Sequence, residues 1–154
     1  MTAIIQRIYK GKVEVNGETV AECGEGLYVL LGVTHTDTEE DAHLLADKIV
    51  KMRIFSDEND KMNLSVNDIG GGIMAVPNFT LYASYRKGNR PDYMNSAAPE
   101  VAKPLFDCFV ARLKEQNNNV SQGIFGEHMI ISVTCNGPVT IPMYSDVLKQ
   151  PKRS

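Results

Sequence analysis

Apolar and polar residues alternate near both ends of the chain and follow a helical period twice in between. Ile4 to Tyr9 reads as a first strand. In Val13-Glu14-Val15-Asn16-Gly17-Glu18-Thr19-Val20 an Asn-Gly pair sits between alternating apolar positions; both residues tolerate the positive φ of a type I′ turn, so a β-hairpin is predicted. Gly26 to Val33 is apolar without alternation, the mark of a strand covered on both faces. From Thr36 the period changes. Thr36-Asp37-Thr38-Glu39 offers a capping box, acids crowd the first turn, and Ala42, Leu45, Ala46, Ile49 and Met52 recur at helical spacing, predicting a helix to about Met52.

After a polar connection at Ser56 to Asp60 and a turn-like Gly70-Gly71-Gly72, Ile73 to Val76 resumes as strand. A second helix fits Pro99 to Gln116, with Val101, Leu105, Cys108, Phe109 and Leu113 on its apolar face. Pro104 marks a break or a delayed start there. Met129 to Thr134 and Val139 to Met143 read as two strands around Asn136-Gly137-Pro138. The order predicts an α+β domain: an antiparallel-rich sheet or partial barrel covered by two helices, spanning residues 1–146, with a short basic tail at 147–154.

With 154 residues the chain is long enough for one sizeable core and too short for two. Three cysteines, widely spaced and without a Cys-x-x-Cys pair, indicate neither a disulfide frame nor a zinc site. No apolar run approaches a membrane span and the start lacks an export signal, so a cytoplasmic protein without a membrane partner is expected. A formal net charge of −3 argues against a broad nucleic-acid-coating face, and no DNA partner is expected. Local positive charge gathers at Arg86-Lys87-Gly88-Asn89-Arg90, along Lys48, Lys51 and Arg53, and in the tail; each cluster taken alone reads as solvated surface.

Side-chain searches find little. His35, His43 and His128 have no motif partner, and nucleophile elbows, zinc helices and metal-ligand spacings are missing, so no metal or cofactor is predicted. The acids at 37–41 suit a helix start better than an acid/base pair. What stands out is a pair of backbone-rich segments, Val76-Pro77-Asn78-Phe79-Thr80-Leu81 and Thr134-Cys135-Asn136-Gly137-Pro138-Val139-Thr140. Each puts proline inside a strand-like run, which suits a sheet edge or bend, and on these features alone edge turns with no chemical role remain the plainer reading.

Those segments carry a resemblance. From Met1 to about Met143 the sequence is similar to the D-aminoacyl-tRNA deacylase family, whose Ser-Gln-Phe-Thr-Leu and Gly-Pro-x-Thr signatures are matched by Pro77-Asn78-Phe79-Thr80-Leu81 and Gly137-Pro138-Val139-Thr140. Arg53-Ile54-Phe55, Lys61 to Ser65, Thr80 to Ala83 and Arg86 to Pro91 fit in order and spacing. The resemblance implies hydrolysis of the ester joining a D-amino acid to tRNA, glycyl-tRNA included, by a homodimer. In it the cis Gly137-Pro138 of one subunit enters the partner's site and presents carbonyl oxygens to the α-amino group, leaving no room for an L side chain. Arg7 would hold that loop.

Main-chain N–H groups near Phe79 and Thr80 would stabilise the oxyanion. Thr80 is one candidate nucleophile; a water assisted by the tRNA 2′-hydroxyl is preferred, because no base stands beside Thr80. Phe79 would pack on the adenosine or the pocket wall, although an isolated Phe is more often core. Arg86, Lys87 and Arg90 would meet tRNA phosphates. Pro77 and Asn78 depart from the family's Ser and Gln, removing a hydroxyl and an N–H. That leaves a relaxed-specificity deacylase as an alternative. A non-catalytic tRNA-end-binding module and a deaminase-like oligomer of similar size are further readings, disfavoured by the acidic pI and by the signature blocks respectively.

Overall fold

One strand organises the molecule, here a computed structural model describing residues 1–153. β1 (Thr2–Val15) pairs on one side with β3 (Gly26–Gly32) through its first half and with β2 (Glu18–Cys23) through its second. On its other side β8 (Ile130–Tyr144) runs antiparallel along almost its whole length. β6 (Gly72–Pro77) lies parallel to β3, and β7 (Val120–Gln122) parallel to β6. The order β2-β1-β3-β6-β7 nearly closes on itself: Ser121 Oγ on β7 donates to the carbonyl of Glu22 on β2 at 2.8 Å. A small ribbon of β4 (Phe55–Ser56) and β5 (Met62–Leu64) stands apart.

The β1–β2 hairpin turns at Asn16 and Gly17, with φ of 50° and 80°, as the Asn-Gly pair predicts. β3 and β6 touch so closely at their starts that a Cβ on Gly26 would stand 1.9 Å from the Gly72 carbonyl oxygen. The glycine cluster is therefore only partly a turn: Gly70 has φ of 64°, while Gly72 already belongs to the sheet.

Because side chains alternate along a strand, the sheet has two apolar faces. Ile5, Leu27, Val29, Leu31 and Ile73 face α1 (Glu39–Lys51) and α2 (Pro99–Lys114), packing on Leu45, Ile49, Phe106, Phe109 and Leu113. Ile8, Val13, Tyr28, Met74 and Val76 form a second cluster on the opposite face, flanked by half-buried Leu30, Met129, Ile131 and Val133.

Several local expectations are corrected. The strand predicted at Ile4 to Tyr9 continues unbroken into the hairpin, and the two C-terminal strands are one strand interrupted in register. Pro104 neither breaks nor delays α2; its missing N–H would have bonded the carbonyl of Glu100, in the exposed first turn where water can replace it. Val101 is exposed, and Ala102, Phe106 and Val110 take the buried face with Leu105, Phe109 and Leu113. The capping box sits two residues later than predicted: Thr38 is the N-cap and its N–H donates to Asp41 Oδ2 at 2.8 Å. Residues 147–149, read as tail, complete α3 (Ser145–Lys149), which pins itself to α1 through Lys149 Nζ and Asp41 Oδ1 at 2.7 Å.

Candidate active site

β6 ends where its neighbours release it. β7 pairs only Ile73 to Ala75, so Pro77, which has no N–H, costs the sheet no bond on that side. Asn78 then donates its N–H to the Leu31 carbonyl at 2.8 Å and caps a 3-10 turn, Phe79–Tyr82, so the strand-like run beyond Val76 ends in the bend its proline suits. Asn78 Oδ1 accepts from the Thr80 N–H at 3.1 Å and from the Thr80 hydroxyl at 2.5 Å.

The turn forms one wall of a cleft of about 810 Å³ floored by Tyr28, Leu30 and Val76. Tyr93 and Ser96 face it from the segment before α2, and Phe125 to Met129 close the far side. Phe79 is 56% exposed, so core packing does not explain it; its ring meets Tyr93 edge-on with centroids 5.0 Å apart. Ser96 Oγ donates to the Phe79 carbonyl at 2.7 Å. Burial pushes the Tyr28 hydroxyl on the floor up to about 12, so it stays a protonated donor.

Counting main-chain donors from Pro77 to Thr80 leaves one. Pro77 has none, the Asn78 N–H is taken by Leu31, and the Thr80 N–H is taken by Asn78. Of these four residues only Phe79 has an N–H that finds no acceptor among the described residues. The Thr80 hydroxyl gives its proton to an amide oxygen, which is no base.

The second predicted segment lies elsewhere. Gln6 pairs with Thr140 and Ile8 with Cys135, so residues 136–139 bulge from the β1–β8 ladder. Gly137-Pro138 is cis and exposed there, and neither residue lines the cleft of its own chain. Arg7 on β1 reaches the bulge: its Nε donates to the Asn136 carbonyl and its Nη1 to that of Ile54, both at 2.8 Å. Pro77, Asn78, Phe79 and Thr80 are thus brought together, while Gly137, Pro138 and Arg7 form a separate group.

Arg86, Lys87 and Arg90 project from an exposed loop closed by backbone bonds between Ser84 and Asp92. Of the histidines, His35 Nε2 bonds the Met94 carbonyl at 2.6 Å, His43 touches Cys108 Sγ at 3.4 Å, and His128 sits on the cleft rim. Among the described residues no three of the side chains that commonly bind metal cluster together, and no helix is long and apolar enough to cross a membrane. Tyr93, Ser96 and Phe125 were not legible as site residues, because the fold rather than any motif brings them to the cleft.

Comparison with known proteins finds relatives along the whole chain. The family model described as D-Tyr-tRNA(Tyr) deacylase matches residues 4–144. The D-aminoacyl-tRNA deacylase of Chloroflexus aurantiacus is 49% identical over 154 residues, covering 100% of this chain and 96% of the relative. That of Thermosipho africanus is 51% identical over 141 residues, 92% of this chain and 95% of the relative. A solved structure described as a c-Myc DNA unwinding element binding protein is 32% identical with a TM-score of 0.87, over 99% of this chain and all of that one. A probable eukaryotic D-amino acid tRNA deacylase, 19% identical, has the same fold with a TM-score of 0.79, over 93% of this chain and 99% of that one.

Proposed function

The chain belongs to the D-Tyr-tRNA(Tyr) deacylase family, and from that premise we propose that it hydrolyses the ester of D-aminoacyl-tRNA, releasing the D-amino acid and free tRNA. The observation that carries this is the end-to-end match to D-aminoacyl-tRNA deacylases, 49% identical over the whole chain. The cleft beside Phe79 supports it with a chemistry that needs no side-chain triad.

Attack on the ester carbonyl makes an oxyanion, and the Phe79 N–H is the main-chain donor left to meet it. Such a preorganised donor typically contributes ~3–4 kcal/mol. Thr80 holds its hydroxyl proton against Asn78 and lacks a base, so water attacks, assisted by the 2′-hydroxyl of the terminal adenosine. Thr80 Oγ1 keeps its lone pairs toward that water or the substrate ammonium. The cation-rich loop at Arg86, Lys87 and Arg90 takes phosphates of the tRNA.

The enzyme works as a homodimer in the cytoplasm. Gly137-Pro138, exposed and away from its own cleft, enters the partner's cleft, where its carbonyl oxygens hold the α-amino group and its backbone excludes an L side chain; Arg7 holds the bulge for that purpose. Glycine has no side chain to exclude, so glycyl-tRNA is a second substrate. Nucleic-acid binding without catalysis, suggested by the name of the 32% identical structure, is disfavoured by the net charge of −3.

The deciding measurement is kcat/KM for D- and L-tyrosyl-tRNA with the wild type and Pro77→Ser. A D/L ratio of several orders of magnitude, with Pro77→Ser altering rate more than selectivity, is the expected result. A ratio near one would favour the relaxed-specificity reading. Subunit mixing tests the shared site: Asn78→Ala and Gly137→Val proteins, each impaired alone, should regain activity when mixed, since one cleft in the heterodimer then has both halves intact.

A further inference from the structure

One exposed aromatic beyond the cleft mouth has no role in the site described so far. Tyr85 is 81% exposed, so its ring contributes almost nothing to the core and stands in water. It lies on the segment between Ser84 and Asp92, which bond each other's backbone at 2.8 and 2.9 Å. Tyr85 and Tyr93 each directly follow one partner of that bridge, so their side chains leave the backbone from neighbouring points of the loop. Tyr93 lines the cleft and meets Phe79 edge-on. Phe79 and Tyr93 are thus in contact within the cleft, and the exposed Tyr85 lies next to the bridge that leads to Tyr93.

The charges agree with that direction. Arg86, Lys87 and Arg90 follow Tyr85 with no acidic residue before Asp92, in a chain whose net charge is −3. Among the described residues none of the three forms an ion pair. The loop is also held at its base: Asp92 Oδ1 accepts the Met94 N–H at 3.2 Å, and His35 bonds the Met94 carbonyl. An exposed aromatic ring on a loop anchored at its base, beside free cations, is the combination that holds single-stranded nucleic acid, with bases stacked on rings and phosphates matched to cations.

We propose that Tyr85 is a stacking platform for an unpaired base next to the terminal adenosine of the tRNA substrate, so that the enzyme grips the single-stranded 3′ end as well as the aminoacyl group. This rests on the deacylase reading and adds to it a preference for substrates that carry more of that end. A duplex would not serve, because its bases are already stacked on one another.

The test uses D-tyrosyl esters of adenosine, of the trinucleotide cytidylyl-cytidylyl-adenosine and of full tRNA, with the wild type, Tyr85→Ala and Tyr85→Trp. The wild type should show a higher kcat/KM on the trinucleotide ester than on the adenosine ester. Tyr85→Ala should lower kcat/KM on the trinucleotide and tRNA esters by about 5- to 150-fold, the range of one lost base stack, and leave the adenosine ester unchanged. Tyr85→Trp should keep or exceed wild-type values. Equal rates for Tyr85→Ala and wild type on the trinucleotide ester would overturn the proposal, as would a loss confined to full tRNA, which would place the contact on the duplex or make this face a site for something else. Titration of uncharged trinucleotide decides the matter even if no ester is hydrolysed, an outcome that would sink the deacylase reading alone: weaker binding by Tyr85→Ala supports the platform, and unchanged binding removes it.

Discussion

The two faces of the central sheet both carry apolar residues but are differently finished. Under α1 and α2, Leu27, Val29 and Leu31 are covered by Leu45, Ile49, Phe106 and Phe109 of the same chain. On the other face Tyr28, Met74 and Val76 are buried, yet Leu30, Met129 and Ile131 around them remain partly open and line the cleft. The helix-covered face shows what stability requires of this chain. The open face leaves a cleft that, on the proposed reading, takes the substrate and a second copy.

Mutations should separate the two. Phe109→Ala, on the covered face, should cost about 3–5 kcal/mol in urea unfolding, whereas Leu30→Ala, half-buried on the open face, should cost less than about 2 kcal/mol in a dilute monomer. Equal costs would erase the distinction. Next in size, Asn78→Ala should cost about 1 kcal/mol of stability through the lost cap but lower kcat roughly tenfold by loosening the turn that aims the Phe79 N–H. Asn78→Ser, which can still cap, should recover most of the rate; a variant that loses stability and no rate would make Asn78 merely structural.

The faces should also fail at opposite ends of the pH range. Burial would by itself raise the Asp41 carboxyl at the start of α1, but hydrogen bonds from Lys149, Ser145 and Thr38 outweigh it and hold the group well below the usual carboxylate range. Its contribution is present above the unfolded value of about 4 and is lost as pH falls from there through the lower folded value, so Asp41→Asn should flatten the acid limb of a stability curve. On the other face burial raises the Cys23 thiol from 9.0 to about 11. That contribution is complete below the unfolded value and is lost as pH rises across this window, so Cys23→Ala should flatten the alkaline limb. The smallest effect belongs to the surface: replacing Arg86 and Arg90 by Ala should reduce the salt slope of tRNA binding by about one unit each, and an unchanged slope would return both to ordinary surface charge.

Sequence made the covered side readable because there local and tertiary preferences agree. Asn16-Gly17 accepts positive φ and turns the hairpin, and the spacing of Ala42, Leu45, Ala46 and Ile49 is the buried stripe of α1. It misled where backbone pairing overrode local punctuation. β8 runs through Gly137-Pro138 because pairing to β1 resumes on either side of the bulge, and α2 runs through Pro104 because the lost bond falls in an exposed turn. The site was half legible. Asn78, Phe79 and Thr80 carry a signature, but that the Asn78 side chain would occupy the Thr80 N–H depends on the 3-10 turn, and the approach of Tyr93 and Ser96 depends on how the segment before α2 folds back.

The long β8 strand bears on how the newly made chain avoids going astray. It pairs with β1 on one side only, so its other side is a row of backbone groups on which another strand could build, and another on that. Pro138 and Pro142, neither with an N–H to offer, interrupt that row, as prolines do on the borders of sheets that must not grow. The same strand that carries the Gly-Pro bulge is thereby a poor template for fibres.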